Sequence, residues 1–484
     1  MDSRLMHRES FFIGGEWVAP AGGETAPVIS PATEEVVGEY AVATADDIDR
    51  AVGAARSAFE KSGWTQLQPS ERGEILARAC ELLRQREHEL ISVLVEEIGT
   101  PVSQLSVDFL CAVFDYYAQL SQSYEFERVV VQGLAAGLVV LEPVGVVGAI
   151  VPWNAPVTLA SWKIAPAIVA GCTVVCKPPP ETPLSSFILA EVLEKAGLPA
   201  GVLNLVPGGR EVGEHLVTHP GVDKVAFTGS TAAGKRIMSL CGNTVKRVSL
   251  ELGGKSAAML LSDADLSTAI PRLVRVGMQW SGQVCAMQSR VLVARSKYDE
   301  AIDLAAATMA ELVVGDPRGP DSEVGPLIAE RQRERVEGYI KMAKDAGASV
   351  ACGGARPSHL PKGWYLEPTV LARVDNNMDV AREEIFGPVL AFIAHNGDDD
   401  AVRIANDSPY GLGGGVWSAD EGRALAVARK VRTGTVDING SLPPLPSVPF
   451  GGFKESGLGR ELGPDGLSEY LETKAIFLPK SRVA

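Results

Sequence analysis

The chain has 484 residues, 46% apolar and 22% charged. That balance excludes a disordered chain and, at roughly 150 residues per domain, suggests about three domains. Forty-five Lys and Arg against 60 Asp and Glu leave a net charge of −15, which argues against nucleic acid or an anionic membrane as a partner. The seven cysteines (Cys80, Cys111, Cys172, Cys176, Cys241, Cys285, Cys352) are odd in number and form no CxxC pair. A disulfide framework is therefore not expected, and a reducing, cytoplasmic compartment is. Residues 1–10 carry no apolar leader core.

In chain order, residues 57–97 show helical spacing, with Ile75, Leu76, Ala79, Leu82 and Leu83 on one face. Residues 128–141 are β-branched around Gly133 and Gly137 and read as a hairpin. Residues 143–162 hold no charge, long enough for a membrane span, but Pro143, Pro152 and Pro156 interrupt them. A buried strand over 144–151 followed by a loop fits better. Residues 173–176, 202–206 and 224–227 are further strands, and a helix over 184–196 stops at Gly197. Residues 257–261, 291–293 and 391–393 give a second set of strands, and 475–478 a last one. Strands alternating with helices predict parallel sheets with helices on both faces, in two α/β units.

Several motifs carry chemistry. Gly229 to Lys235 matches the GxxxxGK of a P-loop, but Arg236 stands where magnesium binding needs Ser or Thr. Glycines between a strand and a helix still let backbone N–H groups approach a phosphate. No GxGxxG lies in a strand-to-helix context, so a dinucleotide must sit in another way. Cys285 follows Ser281-Gly282-Gln283-Val284 in a loop context open to a reactive thiol or to an inert core cysteine. Glu251 precedes Gly253-Gly254-Lys255 and reads as a base or as a surface carboxylate. Asn154, in Pro152-Trp153-Asn154-Ala155-Pro156, reads as an oxyanion donor or a turn residue. His215 and His219 lack a third ligand, so no metal site is expected.

Six blocks in order resemble the aldehyde dehydrogenase superfamily. They are Pro152-Trp153-Asn154, Phe227-Thr228-Gly229-Ser230-Thr231 with Gly234, Glu251-Leu252-Gly253-Gly254-Lys255, Gly282-Gln283-Val284-Cys285, Glu383-Glu384-Ile385-Phe386-Gly387-Pro388, and Pro449-Phe450-Gly451-Gly452-Phe453-Lys454 with Gly459-Arg460-Glu461. The resemblance implies Cys285 as the nucleophile, forming a thiohemiacetal and then a thioester. It implies Asn154 and the Cys285 N–H as oxyanion donors, Glu251 as the base that activates water, and Lys163 near the site. It implies a cofactor groove of Val151, Pro152, Trp153, Lys177, Gly229, Ser230, Gly234, Leu252, Glu384 and Phe386. The family's NAD-preferring members often carry Glu three residues after the lysine; here Pro180 stands there and Glu181 is one residue late. NAD with NADP accommodated is the resulting expectation.

The fold implied is an α/β one: a dinucleotide-binding parallel-sheet domain (1–123 and 143–253), an α/β catalytic domain (254–453) and a small β oligomerisation arm (124–142 and 468–484). Arms of this kind pair across subunits, so a homodimer or homotetramer is expected. The substrate tunnel is expected to run past Phe114, Ala155, Leu159, Trp162, Val284, Ala286 and the loop 441–448. That lining is apolar and lacks a cation for a carboxylate, which favours uncharged aliphatic or aromatic aldehydes over semialdehyde acids. Two alternatives stand beside hydrolytic oxidation: a coenzyme-A-acylating relative, and a non-enzymatic structural protein that reuses the fold.

Overall fold

The computed structural model describes residues 6–132, 135–440 and 443–479. Its first large sheet has eight strands, in the order Gly457–Leu458, Arg247–Glu251, Lys224–Thr228, Val146–Ile150, Thr173–Lys177, Leu203–Leu205, Phe11–Ile13, Glu16–Val18. The five from Arg247–Glu251 to Leu203–Leu205 are parallel, and both edges are closed by antiparallel strands. Val146–Ile150, Thr173–Lys177 and Lys224–Thr228 are buried at every position, because helices cover both faces; hence their unbroken apolar runs. From Val146–Ile150 the chain steps outward through Thr173–Lys177 to Leu203–Leu205, then returns to the other side at Lys224–Thr228. The strand order reverses between Val146–Ile150 and Lys224–Thr228, the switch point at which open sheets of this kind take their ligands.

The second sheet has seven strands: Ser349–Cys352, Thr369–Ala372, Val389–His395, Arg290–Ala294, Ala257–Leu260, Gly414–Trp417, Asp437–Ile438. All pairings but the first are parallel. Leu471–Pro479, Ala135–Pro143 and Glu127–Gln132 form a separate antiparallel sheet. Gly133 of the expected hairpin lies outside the described residues.

The helical spacing over 57–97 is divided among the end of helix Ala45–Lys61, a short turn at Trp64–Gln66, and the helices Pro69–Gln85 and Glu87–Ile98. Gly63 takes φ +79° and Pro69 opens the next helix, so the chain turns where the apolar spacing still reads through. The uncharged run 143–162 is a strand, a loop at 151–155 and the first half of helix Pro156–Ala170. Among the described residues no helix is long and apolar enough to cross a membrane.

Candidate functional site

Helix Pro156–Ala170 starts at a proline and ends at Gly171, with φ +92°. It is buried nearly all round, so its one charge, Lys163, lies fully inside. A buried ammonium requires partners. Lys163 Nζ donates to Thr228 Oγ1 and Glu461 Oε1, both at 2.5 Å. Thr228 ends the strand before the glycine loop, which brings Lys163 beneath that loop.

Glu251 is the last residue of strand Arg247–Glu251 and is buried, not a surface carboxylate. Neither of its oxygens has a hydrogen-bond partner among the described residues. Burial and the neighbouring Glu461 hold its carboxyl well above the usual range, with Lys163 and Arg460 opposing. Gly451, at φ +155°, packs against it; a Cβ there would lie 2.6 Å from Glu251 Oε1.

Cys285 follows a strained turn. Trp280 and Ser281 adopt φ +49° and +55°, and Gly282 φ +70°. A Cβ on Gly282 would meet Gly387 O at 2.2 Å and Pro388 N at 2.8 Å, so only glycine lets this turn pack on the Gly387–Pro388 backbone. Asn154 Nδ2 donates to Gln283 O at 2.9 Å, which ties the first sheet's loop to the Cys285 loop and leaves the second amide hydrogen of Asn154 free. The N–H groups of Cys285 and Ala286 face the sulfur, while burial and the Glu384 and Glu251 carboxylates push the thiol up to about 12. Cys285, Ala286, Ala155 and Phe109 pack on an apolar wall that includes Phe114, Leu159, Trp162 and Phe450. The Trp162 ring lies 6.0 Å from Phe109 and 5.2 Å from Phe450. Val284 is half-buried. In loop 441–448, Ser441 and Leu442 lie outside the described residues, and Leu445 and Val448 are exposed.

The expected groove residues of the first sheet stand at or just past the carboxyl ends of its strands: Val151, Pro152 and Trp153, Lys177, Gly229 and Ser230, and Leu252. Val151 N donates to Lys177 O at 3.3 Å. Ser230 caps helix Thr231–Gly242, its hydroxyl accepting from Ala233 N. Gly234 packs on Leu252, whose Cδ2 would lie 2.4 Å from an added Cβ. The helix N-terminus thus closes on the strand ends with unshared N–H groups toward the switch point, a fit for pyrophosphate. Lys177 Nζ donates to Pro178 O (3.1 Å) and Gly208 O (2.6 Å). Burial pushes that amine down to about 8, against the pull of Glu181. On the opposite wall Gly254 N donates to Glu384 Oε1 at 3.1 Å, and burial pushes the Glu384 carboxyl up to about 7. Phe386, at φ +62°, sets its ring 5.2 Å from Trp153, edge to face. Lys235 pairs with Glu455 at the surface, 2.9 Å away, instead of reaching back over the loop as a P-loop lysine does.

Sequence reasoning gave no role to Glu461, Gln283, Phe109 or Phe450. Glu461 and Phe450 stood inside a quoted motif, but nothing local marks a carboxylate 298 residues from its lysine as buried. His215 and His219 both face Asp49, at 2.6 and 3.3 Å. His219 Nδ1 accepts from Gly221 N, which commits Nε2 to donating. Among the described residues no group of three or more metal-binding side chains occurs.

A family model described as the aldehyde dehydrogenase family matches residues 17–476. Geranial dehydrogenase from Castellaniella defragrans is 44% identical over 474 residues, covering 97% of this chain and 98% of the relative. Betaine aldehyde dehydrogenase from Amaranthus hypochondriacus is 38% identical, covering 96% and 95%. Among solved structures, an aldehyde dehydrogenase from Mycobacterium tuberculosis complexed with NAD+ superposes with a TM-score of 0.96 at 43% identity, covering 98% of this chain and 99% of that one. A mutant aldehyde dehydrogenase from Pseudomonas syringae, in complex with NAD+ and octanal, gives 0.94 at 42% identity, with 98% and 97% covered.

Proposed function

The chain belongs to the aldehyde dehydrogenase family, an NAD-dependent enzyme that oxidises an aldehyde to the acid, and on that premise we propose that Cys285, Asn154 and Glu251 carry the chemistry. The supporting observation is the Asn154–Gln283 bond, which fixes an amide donor beside the cysteine loop. Cys285 Sγ gives its proton to solvent water and, as the thiolate, attacks the carbonyl carbon. The free amide hydrogen of Asn154 and the Cys285 N–H hold the oxyanion. NAD, when bound, supplies acceptance of the two electrons and the hydrogen that leave the substrate carbon. The carbon is then a thioester on Cys285. Glu251, its oxygens unshared, takes a proton from water; the resulting hydroxide breaks the C–S bond and releases the acid. Lys163 and Glu461 beneath it form the onward proton path.

Val151, Pro152, Trp153, Lys177, Gly229, Ser230, Gly234 and Leu252 would hold the nucleotide end, and Glu384 and Phe386 the nicotinamide end. The substrate is an uncharged aliphatic or aromatic aldehyde. The apolar wall of Phe109, Phe114, Leu159, Trp162 and Phe450 supports this, as do the apolar molecules named for the geranial and octanal proteins. A coenzyme-A-acylating route is disfavoured, because a thiol acceptor has no use for the unshared carboxylate of Glu251. All seven cysteines are free thiols, which supports a cytoplasmic setting. The exposed three-stranded arm supports a homo-oligomer.

Reduced-nicotinamide absorbance tests the reading, with octanal, benzaldehyde and succinate semialdehyde as substrates. Cys285→Ala is expected to abolish the signal, and Glu251→Gln to slow steady turnover by roughly a hundredfold or more while sparing the first burst. Higher kcat/KM on the semialdehyde acid than on either uncharged aldehyde would overturn the substrate assignment.

A further inference from the structure

We propose that Glu181 and Arg331 form a clasp across the nucleotide groove, in which Arg331 receives the 2′-phosphate of NADP, so that the protein binds NADP as well as NAD. The inference rests on the reading that the nucleotide lies along the edge marked by Lys177 and Ser230. With Lys177 holding the nucleotide end, the residues just past its strand are the ones placed to meet the adenosine ribose. A carboxylate there takes the ribose hydroxyls, and an arginine takes a 2′-phosphate. That strand is Thr173–Lys177, and Pro178, Pro179 and Pro180 follow it. Prolines offer no N–H and fix the path, so the first side chain able to read the ribose is Glu181.

Glu181 does not stand alone. It is ion-paired with Arg331, the second residue of helix Glu330–Asp345 in the other lobe. The next residue after each partner is fastened to its own side. Thr182 Oγ1 donates to Trp153 O at 3.2 Å. Gln332, beside Arg331, donates to Phe386 O at 2.7 Å. The pair therefore spans the groove at its Lys177 end. Arg331 is 63% exposed and Glu181 24%; one guanidinium nitrogen meets the carboxylate, and the others make no hydrogen bond among the described residues. With NAD, Glu181 accepts from the ribose hydroxyls while Arg331 steadies it. With NADP, a phosphate of roughly two negative charges meets two cations, Lys177 and Arg331. The guanidinium fork suits it better than it suits one carboxylate oxygen.

The probes are 5′-AMP and 2′,5′-ADP, titrated by calorimetry, together with the NADP-to-NAD ratio of kcat/KM. The parent protein is expected to bind 2′,5′-ADP at least as tightly as 5′-AMP. Arg331→Gln should weaken 2′,5′-ADP relative to 5′-AMP roughly tenfold and lower the kcat/KM ratio by a similar factor. Arg331→Lys, which keeps the charge and loses the fork, should recover part of both. Glu181→Gln, which frees Arg331, should raise the ratio. A shift below about twofold in Arg331→Gln, or a fall in Glu181→Gln, overturns the clasp. If neither probe competes with NAD, the groove assignment itself fails, and the clasp with it.

Discussion

The Cys285 thiol in the free protein faces the carboxylates of Glu384 and Glu251, and this has a measurable consequence. Burial, Glu384 and Glu251 together push the thiol up to about 12, so the resting nucleophile is protonated. The Glu384 carboxyl is itself pushed up to about 7 by burial. Below that pH it is neutral and does not oppose thiolate formation; above it, it does. Glu384→Gln should therefore alkylate with iodoacetamide faster than the parent above pH 7, with the two converging below pH 6. Equal rates at pH 9 would remove Glu384 from the electrostatics of the thiol. At this scale the sequence was readable where chemistry is written locally. The Gly282-Gln283-Val284-Cys285 and Glu251-Leu252-Gly253-Gly254 blocks each carry a special residue beside the glycines that let backbone come close. It was unreadable where a role is made by folding. Glu461 acquires its role from Lys163, and Phe450 from Trp162 at 5.2 Å. Glu181 seemed only a displaced ribose ligand until Arg331 arrived from the other lobe.

Elements with their own start and stop signals were also legible. Helix Leu184–Lys195 ends before Gly197, which takes φ +88° as a helix stop requires. Strands Lys224–Thr228 and Arg290–Ala294 match their apolar runs, since full burial on two faces leaves no alternation to misread. The breaks inside 57–97 were harder to read: Pro69–Gln85 and Glu87–Ile98 bury their apolar faces in one core, while the helix Ala45–Lys61 that precedes them packs on another. The other end of Leu184–Lys195 was invisible in sequence. Its N-terminal amides at Leu184 and Ser185 donate to Glu97, at 2.8 and 3.2 Å. That carboxylate ends helix Glu87–Ile98 and is buried, which pushes it up to about 7 from 4.5. The folded state thus holds a proton there between about pH 4.5 and 7 that the unfolded chain has released, so this group's contribution falls as pH rises through that window, by about 3 kcal/mol. Glu97→Gln keeps an acceptor for the cap and cannot ionise. Its melting temperature relative to the parent should rise by about one to three degrees between pH 5 and 7.5. A constant difference across that range would mean that Glu97 does not titrate in the native protein.

At the scale of the whole molecule, the arm does not fit a lone chain. Its three strands expose both faces: Val129, Val130 and Val131 are 54, 46 and 56% exposed, and Phe477 85%. A three-stranded sheet needs a covered apolar face to be stable, and here only its base, at Leu141 and Leu471, packs on the core of the first α/β unit. The strands hold register from Leu471 opposite Pro143 to Pro479 opposite Ala135, so the sheet is regular and its outer edge, Glu127–Gln132, is left unpaired on one side. A long apolar edge of this kind is either covered or prone to aggregate. A second copy of the chain is the cover we propose, and charge placed on the arm tests it. On the homo-oligomer proposed above, Val130→Glu combined with Phe477→Glu is expected to give a monomer by light scattering at micromolar concentration, with the circular dichroism of the two α/β units retained. The site residues Cys285, Asn154 and Glu251 sit on elements outside the arm, so dissociation should not by itself remove thiol alkylation at Cys285. An unchanged mass in the double variant would show that the arm faces are not the subunit contact.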